Sequence, residues 1–161
     1  MKNAHFSHFA LRRHQQGAAA VELAIVVTVL MLMSAGIFEF SRAFWYYNAL
    51  DKATRDATRY MSEIPFTDYI NTTNYNADLA IAKAIAVKTA TDAGVPGVVA
   101  GNFSVSWNCA PPCGGNHPAW VSTAISGFSL TLGSTMPFAG VAGGTFGSVT
   151  LQPSTTIRYM N

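Results

Sequence analysis

Charge is what this sequence has least of. Only 11% of its 161 residues are Asp, Glu, Lys or Arg, half are hydrophobic, and mean hydropathy is +0.22. So little charge on so short a chain argues against a fully water-exposed surface and for a membrane segment. Acidic residues are missing altogether from positions 1–17, where Lys2, Arg12 and Arg13 stand, and the rest of the chain holds seven Lys/Arg against eight Asp/Glu. The formal charge of +2 is therefore a property of the leader. The body has no basic patch, because Arg55, Arg59, Lys83 and Lys88 are scattered among Asp51, Asp56, Glu63 and Asp78, so nucleic acid is not an expected partner.

Catalytic groupings are also lacking. Beyond the leader His117 is the sole histidine, beside Pro118, and no pattern ties it to a serine or cysteine nucleophile. Asp68, Asp78 and Asp92 fall in helical or turn contexts that capping and solvation explain. The link GSTMPFAGVAGGTFG, 133–147, has no lysine and reads as a flexible surface connection, not a phosphate-binding loop. We expect no enzyme, no cofactor and no metal.

Only two cysteines occur, Cys109 and Cys113, flanking Ala110-Pro111-Pro112. A structural disulfide closing this small loop suits an even count in an extracytoplasmic compartment. A redox pair is disfavoured by the C-x3-C spacing and by the lack of a following helix N-terminus to stabilise a thiolate. Zinc needs four ligands, where Cys109, Cys113 and His117 supply three.

What is present begins at RRHQQGAAAVELAIVVTVLMLMSAGIFEF, residues 12–40. From Ala18 to Phe38 a single charge, Glu22, interrupts 21 residues, which as a helix reach about 32 Å against a hydrocarbon core of roughly 30 Å. The basic residues precede this span, while Glu39 and Arg42 cancel just after it. The positive-inside bias then places 1–17 in the cytoplasm and 39–161 outside. A secretory signal cleaved after Ser34-Ala35-Gly36 fits poorly, because the apolar stretch is too long and runs on into an aromatic helix.

The helical period continues beyond the span. Ala43, Tyr46, Leu50, Ala53, Ala57, Tyr60 and Ile64 recur every three or four residues, and Asp51/Arg55 and Asp56/Arg59 have ion-pair spacings, so the helix should reach about Glu63 and stop at Pro65. Phe44, Trp45, Tyr46 and Tyr47 read as an interfacial belt. After the turn-rich stretch 65–76, a second helix is expected from about Ala77 to Ala93, capped by Asn76, ended by Gly94 and Pro96, and packing through Leu79, Ala82, Ala86, Val87 and Ala90. Alternation then predicts strands at Phe103/Val105/Trp107, at Ala124/Phe128/Leu130/Leu132 and at Val149/Leu151/Thr155/Ile157/Tyr159. Pro153 weakens the last unless the strand starts after it or lies at an edge. The fold class is α+β: a long N-terminal helix, transmembrane and then amphipathic, packed on a small antiparallel sheet. Three parts follow: a leader 1–17, a span 18–38 and an extracytoplasmic domain 39–161.

Gly17-Ala18-Ala19-Ala20-Val21-Glu22, set between a basic leader and an immediate apolar helix, resembles the processing site of type IV pilin precursors. The longer stretch 17–63 resembles TadE-like proteins, minor pilins or pseudopilins of the tight-adherence (Flp) pilus system. The likeness rests on Ala20-Val21-Glu22, Gly36, Glu39-Phe40, Arg42, Asn48-Ala49-Leu50, Ala53-Thr54-Arg55, Ala57-Thr58-Arg59 and Tyr60. It departs from the pattern at Leu23, where tyrosine is frequent. The resemblance implies cleavage by a prepilin peptidase between Gly17 and Ala18, a registration role for Glu22 in subunit assembly, and partners among other pilin subunits and the tight-adherence inner-membrane assembly proteins. It implies a pilin-like fold, a place in the bacterial inner membrane with the C-terminal domain periplasmic, and service in adhesion and biofilm formation. Three alternatives stand beside it: an unprocessed membrane-anchored periplasmic adaptor, a thiol oxidoreductase using Cys109 and Cys113, and a type II secretion pseudopilin, which usually begins with phenylalanine where this chain has Ala18.

Overall fold

In a computed structural model the chain is α+β, with one long N-terminal helix, two further helices and two small antiparallel sheets among the described residues. The structure describes residues 8–109, 117–133 and 147–160, with side chains from residue 17 onward. Two compact units divide it, one ending at Phe40 and the other running from Ser41.

Helix α1, His8–Glu63, passes through both units. In the first, its side chains stand almost entirely exposed: Val21, Leu23, Ile25, Leu30, Met33 and Ile37 are all more than half accessible. Thr28 and Ser34 turn their hydroxyls back onto the carbonyls of Ala24 and Leu30, at 2.8 Å each, so these two hydroxyls are satisfied within the helix.

In the second unit the apolar stripe meets a core. Leu50, Ala53, Ala57, Met61 and Ile64 are buried, and Tyr46 and Tyr60 pack against them half-covered. The helix ends at Glu63, before Pro65, whose ring allows no further turn. Its last carbonyls find distant donors: the Tyr69 hydroxyl on Met61 O at 2.6 Å and the Met160 N–H on Ser62 O at 3.1 Å. Arg59 pairs with Glu63 (Nε to Oε1, 3.0 Å), not with Asp56 as the spacing suggested; Asp56 instead accepts from the Thr89 hydroxyl at 3.1 Å. Asp51–Arg55 pairs as expected.

The second expected helix starts earlier than its apolar pattern indicated. A short α2, Phe66–Ile70, is followed by α3, Thr72–Asp92. Asn71, not Asn76, is the cap: its Oδ1 accepts from the N–H groups of Thr73 and Asn74. Ala82, Ala86 and Ala90 are buried, Leu79 and Val87 half-buried, and after Asp92 the chain reverses at Gly94, which has φ +79°. Tyr60 donates to Asp78 at 3.0 Å, which with the Asp56–Thr89 bond ties α3 to α1.

The strands are shorter and more numerous than the alternation suggested. β1, Phe103–Trp107, pairs antiparallel with the central β2, Trp120–Ile125, which pairs antiparallel with β5, Ser154–Arg158; β3, Ser129–Thr131, pairs with β4, Ser148–Thr150. The run from Ala124 to Leu132 is broken at Gly127, whose φ of +71° turns the chain. Val149 to Tyr159 is likewise divided by Pro153, and β5 begins directly after that proline, at the sheet's edge. Val121, Thr123 and Ile125 of β2 are buried in line with Phe103 of β1.

Candidate functional site

Two features bear on function, one in each unit. In the first, Gly17, Ala18 and Glu22 are exposed positions of α1. A Cβ placed on Gly17 would meet nothing within 4 Å, so this glycine is not required by close packing. The Gly17–Ala18 bond lies inside the helix, where glycine is the weakest ordinary helix former and lowers the cost of local unwinding. Among the described residues, Gly17–Glu63 is the helix long and apolar enough to cross a membrane, and its most apolar window is wholly unburied.

In the second unit, the triplets Ala53-Thr54-Arg55 and Ala57-Thr58-Arg59 repeat at four-residue spacing and so present the same faces on successive turns. The alanines and threonines are fully buried and the arginines exposed. The threonines form a polar seam with β5. Thr54 Oγ1 lies 2.9 Å from Thr155 Oγ1, and the Thr58 hydroxyl donates to Thr54 O at 2.7 Å and to Thr155 O at 3.4 Å. Hydropathy periodicity missed Thr54, Thr58 and Ser62 because hydroxyls count as polar; the repeated triplet was the signal that could have found them. The methyl-sized alanine and β-branched threonine let helix and strand approach closely while each hydroxyl keeps a partner.

Next to the seam lies an aromatic cluster. Tyr69 packs edge-on against Trp107 and Tyr159, at centroid separations of 6.0 and 5.5 Å, and Tyr75 lies 4.6 Å from Trp107. Burial pushes the Tyr69 and Tyr75 phenols well above their ordinary range, and for Tyr69 the neighbouring Tyr159 and Tyr75 add to the effect. The exposed His117 ring lies tilted by 42° against Phe66, with centroids 4.3 Å apart, and its centroid is 6.0 Å from that of Tyr159. No cluster of three metal-ligating side chains occurs among the described residues.

Cys109 follows β1 and packs, half-buried, against the core. Cys113 lies outside the described residues, as does most of the 133–147 link. The structure thus brings Thr54, Thr58 and Thr155 together and leaves Gly17, Ala18 and Glu22 along one exposed helix, apart from the cysteine loop in sequence and in unit.

Comparison with curated proteins yields no match, and comparison with solved structures yields none either. Residues 17–59 match the model of a family described as TadE-like protein, a segment that starts at Gly17 and takes in Glu22, the exposed apolar helix and both Ala-Thr-Arg triplets. Over residues 17–59, within its N-terminal helix, this chain is similar to TadE-like proteins.

Proposed function

We propose that this chain is a minor pilin or pseudopilin of the tight-adherence pilus system, cut by a prepilin peptidase between Gly17 and Ala18 and working by assembly, not catalysis. The observation that carries the reading is the family match over 17–59, with its glycine, glutamate and exposed apolar helix. The cut removes Lys2, Arg12 and Arg13 and leaves an α-amine at Ala18. Residues 1–17 start in the cytoplasm, the helix anchors the chain in the inner membrane, and the second unit lies in the periplasm, where Cys109 and Cys113 pair as a structural disulfide. Tight-adherence assembly proteins and other pilin subunits are the partners, with adhesion and biofilm formation the outcome.

Glu22 is the assembly residue of this proposal. A carboxylate within an apolar span is costly unless paired, and the Ala18 amine of a neighbouring subunit is a partner of opposite charge at the right depth. Such a pair sets the register of adjacent helices as subunits enter an assembly. Glu22→Gln keeps size and removes charge, and is expected to be processed and folded yet lost from sheared pili and from cross-linked assembly complexes. Incorporation equal to the parent would remove Glu22 from this role.

A further inference from the structure

The three-stranded sheet of the second unit turns one face to the core and the other to solvent. Val121, Thr123 and Ile125 of β2 are buried, so by alternation Trp120 and Ser122 point to the opposite face. On β5, Thr155 meets Thr54 of α1, which sends Thr156 and Arg158 outward; on β1, Ser106 is exposed while Trp107 packs into the aromatic cluster. The antiparallel register sets these outward residues in rows. Ser106, Ser122 and Thr156 make one row, Trp120 and Arg158 the next, and Asn108 joins the second because its Oδ1 accepts from Ala119 N–H at 2.6 Å.

The first row is a plane of hydroxyls, two of them tied together. Thr156 Oγ1 donates to Ser122 Oγ at 2.9 Å and Ser122 Oγ to Thr155 O at 3.2 Å, so both protons are used and both oxygens can still accept. The second row holds donors. Asn108 is fixed through its oxygen, which leaves its amide N–H groups to donate to a ligand. Arg158 is the one charged residue of the three strands, is exposed, and has no ion-pair partner among the described residues. Between these two, on the central strand, stands Trp120, 37% exposed. At the usual strand spacing the flanking donors lie about 10 Å apart across the ring.

We propose that this face binds carboxylate-bearing saccharides. The Trp120 ring lies against the apolar C–H face of a sugar, Asn108 and the hydroxyl row exchange hydrogen bonds with its hydroxyls, and the Arg158 guanidinium takes its carboxylate. Such a ligand supplies positively polarised C–H groups for the electron-rich indole face, hydroxyl protons for the accepting oxygens and a planar anion for the arginine fork. A protein partner is a poorer match, because an interface core buries several apolar or aromatic side chains and this face offers one ring. Nucleic acid is poorer still, since one arginine cannot follow a phosphate backbone. Every residue of the site lies in the second unit, so the proposal goes beyond the pilus reading and stands without it.

The test is isothermal titration calorimetry of the full-length protein in detergent with oligogalacturonate, against the same oligomer methyl-esterified to remove its charge. The acid is expected to bind about tenfold tighter than the ester, and R158Q to weaken binding of the acid by a similar factor. W120T, a substitution at the exposed start of β2, is expected to weaken acid and ester alike while keeping the parent's melting temperature. R55Q removes another exposed arginine, away from the sheet face, and should bind as the parent does. Equal binding of acid and ester, an equal loss in R158Q and R55Q, a W120T protein that binds like the parent, or no binding of the acid would each overturn the site. None of these outcomes bears on processing at Gly17.

Discussion

The hydroxyls of Thr54 on α1 and Thr155 on β5 lie 2.9 Å apart, a direct link between the long helix and an edge strand of the main sheet. Thr54 also donates to Asp51 O at 2.8 Å, so its oxygen serves helix and sheet at once. Thr54→Val keeps the shape and leaves the Thr155 hydroxyl short of a partner, a loss of about 1–2 kcal/mol. Arg55→Ala, one residue along, breaks only a surface i,i+4 pair with Asp51 and is expected to leave stability unchanged within error. Urea titrations of full-length protein in detergent, followed by near-UV circular dichroism, compare the two.

Alkaline pH should unfold the domain through its buried phenols. Tyr69 and Tyr75 are raised by burial above the value of about 10 that they have in the unfolded chain. Above that pH the unfolded chain loses these protons while the folded chain keeps them, so stability is complete below about pH 10 and falls as pH rises, by about 1.4 kcal/mol per pH unit for each phenol. Tyr69→Phe removes one phenol from this slope. At neutral pH it also gives up the hydrogen bond to Met61 O, about 1 kcal/mol. Melts from pH 7 to 11.5 on parent and variant should therefore diverge at neutrality and converge as the pH rises.

Pairing of Cys109 with Cys113 closes a short loop, and a loop of that size is expected to contribute about 2 kcal/mol. The double Cys→Ser protein should melt lower than the oxidised parent, match the reduced parent, and still enter pili once folded. A folded double variant that no longer functions would favour thiol chemistry instead.

The parts of the fold legible in the sequence are those set by short-range rules. Pro65 marks the end of α1, and the alternation Phe103/Val105/Trp107 marks β1. Less legible was the start of α3, because NTTNYN offers several asparagines and the apolar stripe begins only after the helix does; Asn71 wins by reaching the N–H groups of Thr73 and Asn74. Gly127 and Pro153 were visible, yet alternation on either side of each disguised the breaks they make. The threonine seam was hidden for another reason: Thr54 and Thr58 are buried because their hydroxyls find partners on a strand about a hundred residues later, information that no local period contains. At the N-terminus the reverse holds, since Gly17 and Glu22 stand out by sequence context while their surroundings in the fold are open.

Processing at Gly17 tests the functional account most directly. Intact mass and N-terminal sequencing of protein extracted from membranes, in cells with and without the prepilin peptidase, should find a chain beginning at Ala18 only where the peptidase is present. A chain retaining residues 1–17 in both strains would contradict the pilin-class reading and leave an unprocessed membrane anchor.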